Sequence, residues 1–99
     1  MINKKSYDMD TITSGQMRAA RALLRWSADD LASAATVGIA TIRRAEAEDG
    51  HPSTTVANLK SIRTALESAG VEFIPETGGK GAGVRLAKPS GMSTSGTTE

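Results

Sequence analysis

The chain has 99 residues, no cysteine, one histidine and a formal net charge of +1 at pH 7. This leaves room for one small domain and excludes a disulfide framework, a thiolate metal site and a site built on several histidines. No apolar run approaches the roughly 18 residues of a membrane span, and no apolar stretch follows the N-terminal lysines as in a secretory signal. We therefore expect a cytoplasmic protein without a cofactor and without a membrane partner.

Both ends of the chain are polar. Residues 1–12 carry charges of both signs, and the last residues are rich in Ser, Thr and Gly. Such segments bury too little apolar surface to offset the entropy lost on ordering. We predict a flexible N-terminal arm at 1–12 and a disordered tail at 88–99, with the folded unit between them.

Two helices are predicted in the first part of the folded unit. The first runs from about Ser14 to Arg25, with Thr13 or Ser14 as its N-cap. The second starts at Ser27, which forms a capping box with Asp30. The apolar stripe of the first helix consists of Met17, Ala20, Leu23, Leu24 and Trp26.

Two more helices follow. The third runs from about Ile39 to Glu46 or Ala47, with Gly38 near its N-cap, and the turn at 48–55 contains Asp49-Gly50 and a proline. The fourth spans about 55–69, and Gly70 ends it. Its amphipathic pattern consists of Val56, Leu59, Ile62 and Leu66.

The second and third helices are joined by a tight turn, and their apolar spacing predicts a steep crossing over one small core. The inward positions are Leu31, Ala32, Val37, Ile42 and Ala45. The third helix is then left projecting, in a position from which a helix enters the major groove of DNA.

The period changes after Gly70, where two short strand-like runs at 71–74 and 84–87 flank turn-forming residues. This pattern predicts a β-hairpin over 71–87. An isolated hairpin is marginal in water, so it must pack on the helices or pair with a second chain. We predict a dimerisation element formed by Val71, Phe73, Ile74, Val84 and Leu86.

The sequence offers no catalytic machinery. The glycine-rich run at 77–83 is not a phosphate-binding loop, because Gly81 rather than Ser or Thr follows Lys80 and a strand follows instead of a helix. The carboxylates of Glu46, Glu48 and Asp49 have no histidine or nucleophile placed to use them. We predict that the protein is not an enzyme.

Four segments carry a resemblance to a known family: RAARALLRWS at 18–27, LASAATV at 31–37, ATIRRAE at 40–46 and AGVEFIPETGG at 69–79. Residues 16–74 resemble the lambda-repressor/Cro-like, or XRE, helix-turn-helix family, and within it small bacterial members that end in a strand-like segment. The resemblance implies a mainly α fold, a compact helix-turn-helix bundle of four to five helices at 13–70 with a short C-terminal β-hairpin.

The resemblance also implies residue roles. It places Ile39, Ala40 and Arg44 on base-facing positions of the recognition helix, with Thr41 and Arg43 beside them. The start of the second helix falls where relatives touch phosphate. The implied DNA-binding set is Ser27, Gly38, Ile39, Ala40, Thr41, Arg43 and Arg44.

The resemblance further implies a buried structural salt bridge between Arg21 and Glu46. This leaves Arg18 and Arg25 for solvent or phosphate. Together these roles predict a sequence-specific regulator of transcription, a repressor that binds a palindromic operator in double-stranded DNA as a homodimer and occludes a promoter.

The chain departs from the family pattern at several positions. Thr36 replaces a glycine in the turn, where a left-handed backbone strains a β-branched residue. Gly38 replaces a capping Ser or Thr, and Ala28 replaces a glutamine that contacts phosphate. Glu48 and Asp49 add negative charge after the third helix. The first two departures affect geometry, whereas the last two weaken phosphate contact. The last two therefore leave open an alternative, a protein-binding module such as an antitoxin that binds a toxin or an anti-activator that binds a regulator.

Overall fold

The computed structural model describes residues 11–89, and it folds them into four helices and one two-stranded antiparallel sheet. The mainly helical architecture with a C-terminal hairpin agrees with the prediction, and the helix count within 11–89 is four. Most of the predicted arm and tail lies outside the described residues. In chain order the elements are α1 (Ser14–Leu24), α2 (Ala28–Ala35), α3 (Ile39–Ala47), α4 (Val56–Ser68), β1 (Val71–Ile74) and β2 (Gly83–Leu86).

Capping boxes start the first two helices. At α1 the Thr13 hydroxyl accepts from the Gln16 N–H at 3.0 Å, and the Gln16 side chain accepts from the Thr13 N–H at 2.8 Å. At α2, Ser27 and Asp30 exchange the same two bonds, as predicted. Each box satisfies N–H groups that a helix start leaves without intrahelical partners. The N-cap of α1 is therefore Thr13 and not Ser14.

The core lies between the four helices and the inner face of the hairpin. Ile12, predicted to belong to the flexible arm, is fully buried in it. Ile12 precedes the N-cap of α1 and Met17 is the fourth helical residue, the two positions of a hydrophobic staple, and both are fully buried. Packing therefore begins before residue 13. The buried apolar residues are Ile12, Met17, Ala20, Leu31, Ala32, Ala35, Ile42, Ala45, Ile62, Leu66, Val71 and Phe73.

Two residues of the predicted apolar stripes lie at the surface instead. Val56 is 78% exposed and Leu23 is 40% exposed. Val56 is the first residue of α4 and Leu23 lies in the last turn of α1. The apolar pattern of a helix can continue to its last residues, whereas a side chain is buried only where a neighbouring element covers it.

The hairpin folds back on its own chain. β1 contacts α4 and β2 contacts α1, and Phe73 pairs with Val84 in the strand register. The tight turn at its tip has positive φ at Gly78 and Gly79, as a type I′ turn requires. Gln16 ties α1 to the hairpin, since its side-chain amide donates to the Gly83 carbonyl at 2.8 Å and to the Ile74 carbonyl at 3.3 Å.

This packing corrects part of the predicted dimerisation element. Val71 and Phe73 are buried against the helices of the same chain, so their side chains cannot contact a second copy. Side chains of a strand alternate between faces. Glu72 lies between Val71 and Phe73 in β1, so its side chain points outward. Its carboxylate pairs with Arg85 at 3.1 Å, and these hydrogen bonds lower the pKa of Glu72.

The turn between α2 and α3 is strained. Thr36 is the C-cap of α2 and has φ 56° and ψ 48°, the left-handed conformation expected for this position. Its N–H donates to the Ser33 carbonyl, and the Val37 N–H donates to the Ala32 carbonyl at 3.0 Å. The hydrogen bonds of the helix end thus hold a β-branched residue where glycine is favoured.

We predict that Thr36→Gly raises the free energy of unfolding by about 0.5–1 kcal/mol, because relief of left-handed strain exceeds the entropy that glycine adds to the unfolded chain. Urea denaturation measures the change. The control is Ala34→Gly, at an exposed site inside α2, which is expected to cost about 0.5–1 kcal/mol. A loss of stability in Thr36→Gly would contradict the strain.

Candidate functional site

Among the described residues, α3 presents an exposed basic surface, and it follows α2 after only three residues. Ile42 and Ala45 point into the core and hold one side of the helix. Four positions at helical spacing point away from the core: Ala40, Arg43, Arg44 and Ala47. We call these four residues the exposed face of α3.

The residues beside this face are less accessible than predicted. Ile39 is half-buried and packs against the core cluster, so only part of its side chain reaches the surface. Thr41 is also half-buried, and Gly38 is exposed at the start of the helix. Of the DNA-binding residues predicted on α3, the accessible ones therefore lie mainly on its exposed face, with Ile39 and Thr41 at the margins.

Arg43 and Arg44 give this face its chemistry. Both are exposed, and neither takes part in a salt bridge with any residue between 11 and 89. A guanidinium presents several N–H donors in a fixed plane, which matches phosphate oxygens and the acceptor edge of guanine. Two adjacent exposed arginines on one helix can therefore donate hydrogen bonds to an anionic group.

The inner side of α3 is tied to α1 by an ion pair. The Nε and Nη2 atoms of Arg21 donate to the two carboxylate oxygens of Glu46, both at 2.8 Å. Arg21 also donates to the Trp26 carbonyl at 2.9 Å, so the pair reaches the joint between α1 and α2. The Glu46 side chain is only 8% exposed, and its hydrogen bonds raise the pKa of Arg21. These are the two residues that the family resemblance pairs.

Two further α1 side chains reach the end of α3. The Ser14 hydroxyl donates to the Ala45 carbonyl at 2.6 Å. The Arg18 guanidinium donates to the Glu46 carbonyl and, at 3.4 Å, to the Glu48 carbonyl. Arg18 is exposed, as expected, but its guanidinium is also bound to the end of α3, which the sequence analysis did not predict. The spacing of Ser14, Arg18 and Arg21 by four and three residues was the available signal.

The start of α2 differs from the expected phosphate contact. The Ser27 N–H already donates to the Asp30 carboxylate at 2.8 Å, and the Ser27 oxygen already accepts from the Asp30 N–H. Asp29 and Asp30 are exposed beside it. Only the hydroxyl hydrogen of Ser27 therefore remains to donate to a phosphate, and the carboxylates of Asp29 and Asp30 beside it would repel that phosphate.

Of the two acidic residues after α3, Glu48 has a structural role. The Glu48 carboxylate accepts from the Ser53 N–H at 2.7 Å, which draws it into the turn before α4. Asp49 is exposed. The sequence analysis did not predict this bond. It also did not predict that Gln16 caps α1 and binds the hairpin, although the spacing from Thr13 to Gln16 is that of a capping box.

Two other kinds of site are absent from the described residues. No group of three His, Cys, Asp or Glu residues within 11–89 could hold a metal ion. None of the helices described here is both long enough and apolar enough to cross a membrane. No protein-family model and no curated protein matches the chain. The features that bear on function are therefore the exposed face of α3 and the attachment of α3 to α1.

We predict that Arg21→Met lowers the free energy of unfolding by about 2–4 kcal/mol, because it leaves the buried Glu46 carboxylate without its partner. Thermal or urea denaturation measures the loss. Adding Glu46→Met to Arg21→Met should restore part of the stability, since no buried charge then remains.

The matched control is Arg85→Met, which breaks an ion pair of the same kind whose two members are exposed. It should leave the melting temperature nearly unchanged. Equal effects of Arg21→Met and Arg85→Met would contradict the importance of burial at the Arg21–Glu46 pair.

Proposed function

We propose that this chain is a sequence-specific DNA-binding regulator of transcription, of the lambda-repressor/Cro-like type, in which α2 and α3 form the helix-turn-helix. In this proposal α3 enters the major groove and presents its exposed face to base edges and phosphates. The observation that carries the proposal is the pair Arg43 and Arg44, which are exposed and form no salt bridge among residues 11–89. They lie on a helix whose buried side is bound to α1 through the Arg21–Glu46 pair. Such a protein acts in the cytoplasm of a bacterial cell, where it represses by occluding a promoter.

The side chains of α3 suit different parts of this task. Arg44 and Arg43 supply donors for guanine edges or phosphates. Ala40 is small, so it lets the helix approach the groove and can contact a thymine methyl group. Gly38 has no side chain, and a Cβ added there would meet no atom within 4 Å among the described residues beyond its two chain neighbours, which leaves room for a phosphate near the start of α3.

The charge distribution limits how the protein would bind. Affinity for phosphate supplies most of non-specific DNA binding, and Asp29 and Asp30 oppose it at the start of α2. The donors of Arg43 and Arg44 must then carry a large share of the affinity. A second copy on a palindromic operator doubles that set of donors, which supports binding as a homodimer.

The hairpin offers an edge for such a dimer. The Ala87 N–H donates to the Gly70 carbonyl at 2.8 Å, so alternation along an antiparallel strand points the Leu86 N–H away from β1. Leu86 is also 36% exposed. We propose that the outer edge of β2 pairs with β2 of a second copy, with Ile74 and Val84 supporting the sheet.

We predict that the folded protein shifts a duplex taken from upstream of its own gene in a gel-shift titration at low salt. Arg44→Ala should weaken this specific binding by about 1–3 kcal/mol, because a guanidinium contact to a base edge is lost. The control is Lys60→Ala, which removes an exposed cation from α4, where no DNA contact is proposed. Folded protein that shifts no duplex would refute the proposed function.

We predict that the protein is a dimer by light scattering and that Leu86→Pro is a monomer at the same concentration. Proline removes the outward N–H and is tolerated on edge strands. Leu86→Ala keeps that N–H and should remain a dimer. Deleting the hairpin is a poorer test, because it also removes buried Val71 and Phe73 from the core. A dimeric Leu86→Pro would contradict the edge pairing.

One observation favours a second candidate, the protein-binding module. Asp29 and Asp30 place negative charge at the start of α2, where a DNA-binding relative contacts phosphate. An antitoxin or anti-activator would use this surface together with the exposed face of α3 to bind a protein. A pull-down that recovers one stoichiometric protein partner, together with no gel shift by the folded protein, would favour this function. A toxin partner alone would not exclude DNA binding, since antitoxins commonly do both.

A further inference from the structure

Unlike the other three helices described, α3 has no local cap at either end. The N-caps of α1, α2 and α4 each accept a hydrogen bond through a Thr or Ser side chain, and their C-cap residues donate backward into the helix. Gly38 has no side chain to cap α3, and Glu48 ends it in an extended conformation. A helix of nine residues is unstable by itself in water, so something else must hold its ends.

The C-terminal end of α3 is held by α1. A helix end leaves its last four carbonyls without intrahelical partners. Ser14 donates to the Ala45 carbonyl, and Arg18 donates to the carbonyls of Glu46 and Glu48. The cap that α3 lacks in its own sequence is thus supplied by side chains from about thirty residues earlier in the chain.

The first turn of α1 also binds the segment beyond α3. The backbone N–H of Ser14 donates to the Gly50 carbonyl at 2.9 Å. Ser14 is fully buried, which makes its two hydrogen bonds inaccessible to water. The C-terminal turn of α3 therefore cannot shift relative to α1 without breaking bonds at Ser14 and Arg18 together.

We propose that Ser14 and Arg18 are positioning residues that cap α3 from α1 and so fix the direction in which Arg43 and Arg44 project. This inference rests on the proposed DNA-binding function for its consequence, but the cap itself is independent of that function. Arg43 and Arg44 lie within one turn of the capped carbonyls. A recognition side chain must be held to about 0.5 Å to keep a specific contact.

The first experiment measures the cap without DNA. Amide hydrogen exchange is compared between the wild-type chain and Arg18→Met, which keeps the apolar stem and removes the guanidinium. We expect exchange to rise about tenfold at Ala45, Glu46 and Ala47, because the last turn of α3 frays, and to stay unchanged in α4. Lys60→Met is the charge-matched control and should change neither region. Unchanged exchange at the end of α3 in Arg18→Met overturns the inference.

The second experiment measures the consequence for binding, with a duplex selected by the wild-type protein from a random pool and with an unselected duplex. Arg18→Met should weaken binding to the selected duplex about tenfold and leave the unselected duplex and the salt dependence unchanged. Ser14→Ala should act in the same direction, and Arg18→Lys should recover part of the affinity.

The outcomes separate the two proposals. If Arg18 contacted phosphate directly, Arg18→Met would weaken both duplexes and reduce the salt slope by about 1, which overturns the positioning role. Equal binding of the selected duplex by Arg18→Met and wild type also overturns it. A wild-type protein that selects no duplex refutes the proposed function, while the exchange experiment still decides whether α1 caps α3.

Discussion

The attachment of α1 to the C-terminal end of α3 is the contact on which the rest of the molecule depends. The Arg21–Glu46 pair is nearly buried and bidentate, and Ser14 and Arg18 satisfy the carbonyls beside it. The same helix holds the hairpin through Gln16. Because α1 touches α3, β1 and β2, it directly connects the helix that carries the exposed face to the hairpin.

A chain of net charge +1 can still present a basic surface, because the charges are distributed unevenly. Glu46 is paired with Arg21, and Glu48 accepts a hydrogen bond from Ser53, so the two carboxylates that follow Arg43 and Arg44 most closely in the chain are already engaged. Arg43 and Arg44 have no such partner among the described residues. The total charge therefore says little about α3, whereas the pairing of individual residues decides which charges remain available to an anionic partner.

The sequence predicted the elements well because their signals are local. Capping patterns, glycines after helices and the change of period at Gly70 depend on residues a few positions apart, and the four helices and the hairpin follow them. Burial was less predictable. Val56 continues the apolar pattern of α4 yet lies at the surface, and Ile12 lies outside any helix yet is fully buried. Burial depends on which neighbouring element covers a residue, and periodicity contains no information about neighbours.

For the candidate site, the sequence by itself determined which side chains α3 carries and the spacing that turns Arg43 and Arg44 to one side, and the family resemblance implied the left-handed strain at Thr36. Only the tertiary structure decided what surrounds them. Packing brings the Arg18 guanidinium to the carbonyls at the end of α3 and covers half of Ile39. It also places Val71 and Phe73 in the core of their own chain. Each of these outcomes joins residues from separate elements, about thirty positions apart in the case of Arg18. Such contacts are set by how the helices pack together and not by the local pattern of either segment.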